Sequence, residues 1–225
     1  KSIGKSIYYF DKTINKKNLP KISKIGNINW KNIDVLFTAL PNGEAQKICK
    51  IIPDHTKLID LSADFRINNF KLYKQWYGID HKYKRFINKS IYAITEFSKN
   101  NLDKYKIISC PGCYPTSVQI PLIPLIKKKL INTKNIIIDS KSGYSGAGKQ
   151  IKQKFKFKNL FNSVSAYGVG FHRHMIEIDQ ELSKIANNKI KVSFTPHLTP
   201  MFRGILSTIY LETRGNNNAK KIYKL

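Results

Sequence analysis

A chain of 225 residues with 41% hydrophobic content and no low-complexity tract can bury the core of one large domain or two modest ones. No run approaches the roughly 18 apolar residues of a membrane-crossing helix, and the opening residues Lys1 to Lys5 lack the apolar centre of a signal peptide, so a cytoplasmic protein with no membrane partner is expected. The formal charge of +26 comes from lysines spread along the whole chain beside many Ile and Asn, a compositional drift rather than a massed basic patch, so no nucleic-acid partner is expected.

In such a chain the arginines are informative. Only five of the 40 Lys and Arg residues are Arg, and Arg66, Arg173 and Arg203 lie in motif-like stretches where a planar, bidentate fork has a use. Three cysteines do not make a disulfide framework. Cys110 and Cys113 form a C-x-x-C, but no second pair completes a zinc set, so no metal is expected.

Residues 1–30 are polar and weakly patterned. Residues 33–40 are a continuous apolar run of strand length, closed by Pro41-Asn42-Gly43 and followed by a helical stretch from Glu44. Residues 57–61 and 106–109 repeat the strand signal. Short buried strands alternating with helices predict a doubly wound α/β sheet, whose ligands sit at the carboxyl ends of the strands. The turn at Pro41 to Gly43, the loop Ser62 to Arg66 and Cys113 all fall at that edge. Within the loop, one reading has Ser62 or Asp64 capping a helix with Arg66 paired locally to Asp64; the other puts Arg66 on an anionic substrate group. The aromatics Tyr73, Trp76 and Tyr77 either line a pocket or pack between layers.

Cys113 follows a strand that breaks at Pro111-Gly112, which predicts its position at a helix N-terminus. Orphan N–H groups and the helix dipole bias a thiol there toward the attacking thiolate; the alternative is a small buried hydrophobe. Pro121 and Pro124 predict that the following helix is irregular or begins late. Residues 135–139 are a further buried strand, opening into a loop containing Ser142, Gly143, Ser145, Gly146, Gly148 and Lys149. Its spacing is close to a P-loop, but Gln150 stands where a Mg²⁺-binding hydroxyl belongs. What remains is a glycine loop able to approach a phosphate or a nicotinamide.

Tyr167, His172, Arg173, His174 and Glu177 make up the densest polar stretch. Ile178, Leu182 and Ile185 give the apolar stripe of a helix starting near His174, with His174 and Glu177 on one face. Two of the chain's five histidines beside a candidate thiol suit general acid–base work better than metal ligation. Residues 192–198 and 204–211 read as strands of one antiparallel sheet joined by the loop holding Arg203. The change of pattern puts a second, α+β domain after about residue 112.

Taken in order, these motifs resemble the N-acetyl-gamma-glutamyl-phosphate reductase family and, more distantly, aspartate-semialdehyde dehydrogenases, from near residue 33 to residue 212. The resemblance implies a dinucleotide-binding domain over 1–112 and a catalytic domain with an antiparallel or mixed sheet over 113–225. It implies NADPH-dependent reduction of N-acetyl-L-glutamyl 5-phosphate through a thioester on Cys113, with His172 as acid/base and Arg66, Tyr167, His174 and Glu177 as substrate contacts. NADP would lie against Pro41, Gly43, Ser142, Ser145 and Gly146, with Arg173 and Arg203 near the leaving phosphate, in an assembly of identical copies. A related reductase of another acyl phosphate and an inactive remnant are the alternatives. The chain departs from the family in having Cys110 where Asn is usual, an additional proline at 121, and no opening strand and glycine loop. It therefore reads as an internal piece that should bind NADP poorly by itself.

Overall fold

The computed structural model describes residues 2–17, 19–146, 162–215 and 219–223. Its first half is a four-stranded, all-parallel sheet. The strands are β1 (Val35–Thr38), β2 (Lys57–Asp60), β3 (Ser90–Tyr92) and β4 (Ile107–Ser109), in the order β1-β2-β4-β3. Between them run the short helices α1 (Glu44–Ile48), α2 (Phe70–Tyr77) and α3 (Thr95–Ser98). One face of this sheet packs Leu58 and Ile107 against Ala45, Cys49, Ile52, Phe65, Phe86 and Ile87. That layer is the core predicted by the continuous apolar runs.

The second half begins at α4 (Cys113–Lys127), which with α5 (His174–Ala186) covers a mixed sheet. Its strands are β5 (Ile137–Gly143), β6 (Ser165–Ala166), β7 (Ser193–Thr199) and β8 (Ile205–Tyr210), in the order β6-β7-β5-β8. A last short helix is α6 (Ala219–Tyr223). Tyr114, Val118, Leu122, Ile138, Ile178, Leu182 and Phe194 form the centre of this core. Among the described residues, no helix is long and apolar enough to cross a membrane.

Three expectations are corrected. First, β7 and β8 are not neighbours: β5 lies between them, parallel to β7 and antiparallel to β8. The chain after β7 passes over the end of β5, where a Cβ on Gly143 would stand 2.8 Å from the backbone nitrogen of Arg203. Only glycine permits that approach. Second, β5 runs four residues beyond the expected strand, so Ser142 and Gly143 belong to a ladder rather than a loop. Third, α4 is continuous through Pro121 and Pro124. Each proline costs about 3 kcal/mol in a helix interior. The burial of Val118, Leu122, Ile123, Leu125 and Ile126 contributes about 1.5–3 kcal/mol per side chain and outweighs it.

Candidate active site

The carboxyl ends of β1, β2 and β4 meet at one edge, and buried polar contacts join their loops. The carboxylate of Asp64 receives the backbone N–H groups of Gly43 (2.6 Å) and Gln46 (3.1 Å) and the hydroxyl of Tyr73 (2.7 Å). Asp64 therefore does cap a helix, but it is α1, some twenty residues earlier in the chain. Gly43 occupies the left-handed region at φ 89°, a conformation that suits glycine.

Arg66 does not pair with Asp64. Its Nε donates to the Cys110 carbonyl (2.7 Å), one terminal nitrogen donates to the Leu61 carbonyl (2.9 Å), and the other lies 3.4 Å from Glu177 Oε2. The loop after β2 is thereby attached to the turn before the cysteine and to α5. Glu177 has no exposed surface; its Oε1 accepts the Gly112 N–H at 2.7 Å and the Tyr92 hydroxyl at 2.8 Å. Both residues thus hold the protein together at this point. Arg66 keeps two of its five N–H donors outside these bonds.

Cys113 is the first residue of α4, after an extended Gly112 (φ −67°, ψ 159°); the residue as a whole is exposed although its sulfur is partly enclosed by surrounding protein. The backbone N–H groups of Cys113 and Tyr114 favour the thiolate, as the helix-end argument requires. Burial by the surrounding protein is the larger influence and pushes the thiol pKa up. The thiol is therefore not held as thiolate by the helix end alone.

Two imidazoles pack against the chain neighbours of Cys113. The His174 ring packs on Gly112 so closely that a Cβ there would lie 2.5 Å from Nε2. The His172 ring stands edge-on to Tyr114 (centroids 5.5 Å apart), to Tyr167 (5.5 Å) and to His174 (4.8 Å). The residues on either side of Cys113 thus rest on the two rings. Burial lowers the His172 pKa to about 4 and that of His174 to about 2, with the Arg173 charge adding to both, so both rings are neutral near pH 7. Nδ1 of His172 receives the His174 backbone N–H (3.2 Å), which puts the ring proton on Nε2. Tyr167 shares a hydroxyl–hydroxyl hydrogen bond of 2.9 Å with Tyr114.

Of the residues expected at a cofactor, Pro41 and Gly43 lie at the end of β1, while Ser142, Ser145 and Gly146 lie at and beyond the end of β5. The Ser145 N–H is held by the Phe202 carbonyl (3.0 Å), and a Cβ on Gly146 would meet Ser142 Oγ at 3.4 Å. Gly148, Lys149 and Gln150 lie outside the described residues. Arg173 and Arg203 are both exposed. Trp76 lines a cleft of about 760 Å³ between α2 and α5, away from the cysteine, and Tyr73 stacks on Tyr77 at 5.0 Å in the interior.

Two polar residues of the site went unrecognised in the sequence. Tyr92 sits on a three-residue strand too short to show alternation. Gln119 gave a signal, a polar residue on the buried face of an otherwise apolar helix; its amide donates to the Tyr92 hydroxyl at 2.8 Å.

A parallel sheet leading into a cysteine helix, two imidazoles at the entry to a later long helix and a mixed second sheet make up the semialdehyde dehydrogenase fold. Residues 1–105 match the family's NAD binding domain and residues 113–225 its dimerisation domain, and the chain belongs to that family. Within it, the chain is 44% identical over 196 residues to a probable chloroplastic N-acetyl-gamma-glutamyl-phosphate reductase of Arabidopsis thaliana (87% of this chain, 49% of that protein). It is 42% identical to the N-acetyl-gamma-glutamyl-phosphate reductase of Afipia carboxidovorans (92% and 60%) and 43% identical to that of Desulforamulus reducens (94% and 60%). The chain thus spans about half to three-fifths of the length of these relatives. Among solved structures, the fold matches aspartate semialdehyde dehydrogenase II of Vibrio cholerae with a TM-score of 0.69 at 16% identity, covering 99% of this chain and 67% of that one. It also matches the Candida albicans enzyme solved with NADP, with a TM-score of 0.62 at 14% identity, covering 99% and 65%.

Proposed function

We propose that the chain forms the catalytic centre of an NADPH-dependent acyl-phosphate reductase, converting N-acetyl-L-glutamyl 5-phosphate to N-acetyl-L-glutamate 5-semialdehyde in arginine biosynthesis. The observation that carries the reading is the exposed Cys113 at the start of α4, with Gly112 on one imidazole and Tyr114 on the other. Relatives above 40% identity that bear this activity in their names support the choice of substrate.

The chemistry follows from the residues. Acid–base work falls to His172: its Nε2–H donates as the ring stands, and it takes the thiol proton at Nδ1 only when that nitrogen releases the His174 N–H. The Cys113 sulfur attacks the acyl carbon, the bond to phosphate breaks, and a thioester remains on the enzyme. When the thioester is reduced, the imidazolium protonates the new thiohemiacetal oxygen; that oxygen then returns the proton, the carbon–sulfur bond breaks, and the aldehyde leaves with Cys113 as thiolate. The N–H groups at the start of α4 face the region where negative charge develops on the acyl oxygen. Arg173 and Arg203, both exposed, are the cations for the departing phosphate, while Tyr167, His174 and the remaining donors of Arg66 contact the substrate.

The converging strand ends suit a dinucleotide. Gly43 presents backbone without a side chain there, and Leu40 and Leu61 leave apolar surface exposed. NADPH would lie against Pro41, Gly43, Ser142, Ser145 and Gly146, and it supplies the hydride. The outer face of the second sheet exposes Ile137, Leu206 and Tyr210 within the region matching a dimerisation domain, which supports an assembly of identical copies.

The test is NADPH oxidation in the presence of N-acetyl-L-glutamyl phosphate. Turnover should fall at least about a thousandfold in C113S, where an alcohol replaces the thiol. Turnover retained in C113S overturns the assignment.

A further inference from the structure

We propose that Glu177, Tyr92 and Gln119 form a positioning chain, in which one buried carboxylate fixes the turn before Cys113 against the helix that carries His174. The proposal deepens the function argued above and rests on it.

Hydrogen-bond direction gives the chain its sense. The Gln119 amide donates to the Tyr92 oxygen at 2.8 Å, so the single phenolic proton goes to Glu177 Oε1, also at 2.8 Å. That oxygen takes the Gly112 N–H as well, at 2.7 Å, while Oε2 faces Arg66. Every close partner of Glu177 is a donor, an arrangement matched to an ionised carboxylate even though burial pulls its pKa upward. The four parts come from four elements. Tyr92 ends β3, in register with Ser109 of β4; Gln119 lies on α4, Glu177 on α5, and Gly112 in the turn.

Gly112 is held twice. Glu177 takes its N–H, and His174, three residues earlier on the same face of α5, covers its Cα. An α-helix keeps its i and i+3 side chains at a fixed offset, so gripping Gly112 with Glu177 sets how far the thiol of the next residue stands from His174. Misplacement of about 1 Å in such a site costs on the order of 100-fold in rate. The Glu177 charge also opposes ionisation of Cys113, whereas Arg66 favours it. Removing the charge should therefore move thiol reactivity and turnover in opposite directions, which loss of a purely structural group does not do.

The experiment compares E177Q and Y92F with the wild-type protein. One readout is the pH dependence of Cys113 alkylation by iodoacetamide, followed on the Cys113 peptide by mass spectrometry; the other is steady-state NADPH-dependent reduction of the acyl phosphate. In E177Q the alkylation midpoint should move to lower pH while kcat falls about 100-fold and KM stays within twofold. In Y92F, which keeps the carboxylate and its bond to Gly112, kcat should fall about tenfold with KM unchanged. The proposal is overturned if kcat is retained in folded E177Q, if the loss lies in KM alone as for a substrate contact, or if alkylation and turnover fall together in step with the folded fraction. If E177Q does not fold, unchanged kcat in Y92F overturns it. If the wild-type protein binds NADPH and shows no turnover, the functional reading fails by itself, and an unmoved alkylation midpoint in E177Q still sinks the positioning chain.

Discussion

At the scale of single residues, the site depends on a glycine as much as on the cysteine beside it. The sequence put Cys113 at a helix start, and it does begin α4. What the sequence could not show is that Gly112 has no room for a side chain, because His174 arrives from sixty residues downstream. In G112A the new Cβ overlaps that ring, so we expect a loss of about 1–3 kcal/mol in urea unfolding and at least about a 100-fold fall in kcat. Burial of the thiol gives a second expectation. Because it outweighs the helix N–H groups, Cys113 should alkylate with a midpoint above the ordinary thiol pKa of about 8.5. A midpoint at or below that value in the free protein contradicts the present account of the site.

At the scale of elements, helix ends were easier to read than helix interiors. The start of α5 at His174 followed from the apolar spacing of Ile178, Leu182 and Ile185, since a core-facing stripe is a local property of the chain. The continuity of α4 was not readable, because the energy that carries it through two prolines comes from α5 and the second sheet. The other end of α4 closes in a Schellman arrangement. The N–H of Leu130 bonds the Leu125 carbonyl at 3.0 Å and that of Lys129 bonds the Ile126 carbonyl at 2.9 Å. This places Lys129 at φ 53°, the position where helices usually carry glycine. We therefore expect K129G to stabilise the protein by about 0.5–1 kcal/mol, seen as a higher urea midpoint with an unchanged m-value. A lower midpoint would show that the lysine side chain contributes more than its backbone strain costs.

At the scale of the whole molecule, two buried imidazoles and the half-buried His172 make stability depend on pH. His81 is enclosed by Phe65, Phe70 and Tyr73, and burial lowers its pKa as it does for His172 and His174. All three bind protons more weakly folded than unfolded. Their contribution is complete above the unfolded value near 6.5 and is lost as pH falls, through about 4 for His172 and on toward about 2 for His174. Each fully buried ring changes stability by up to about 1.4 kcal/mol per pH unit in that window, and the partly open His172 by less. Asp60, Glu177 and Asp179, whose pKa values burial raises, act in the opposite sense. The clean measurement is therefore a difference. Urea unfolding of H81F between pH 7 and 4.5 should show a shallower loss than wild type, and identical slopes would remove His81 from the account.

The sequence by itself determined the alternation of buried strands and helices, the convergence of three strand ends and the presence of a thiol and two imidazoles, because each is written in local periodicity or in the type of a single residue. The tertiary structure decided which strand lies between β7 and β8, which carboxylate caps α1, and that Arg66 and Glu177 grip the turn beside Cys113. Those outcomes depend on which groups meet across the seam between the two sheets. A buried charge takes whatever donors the packing brings to it, and no spacing along the chain records them.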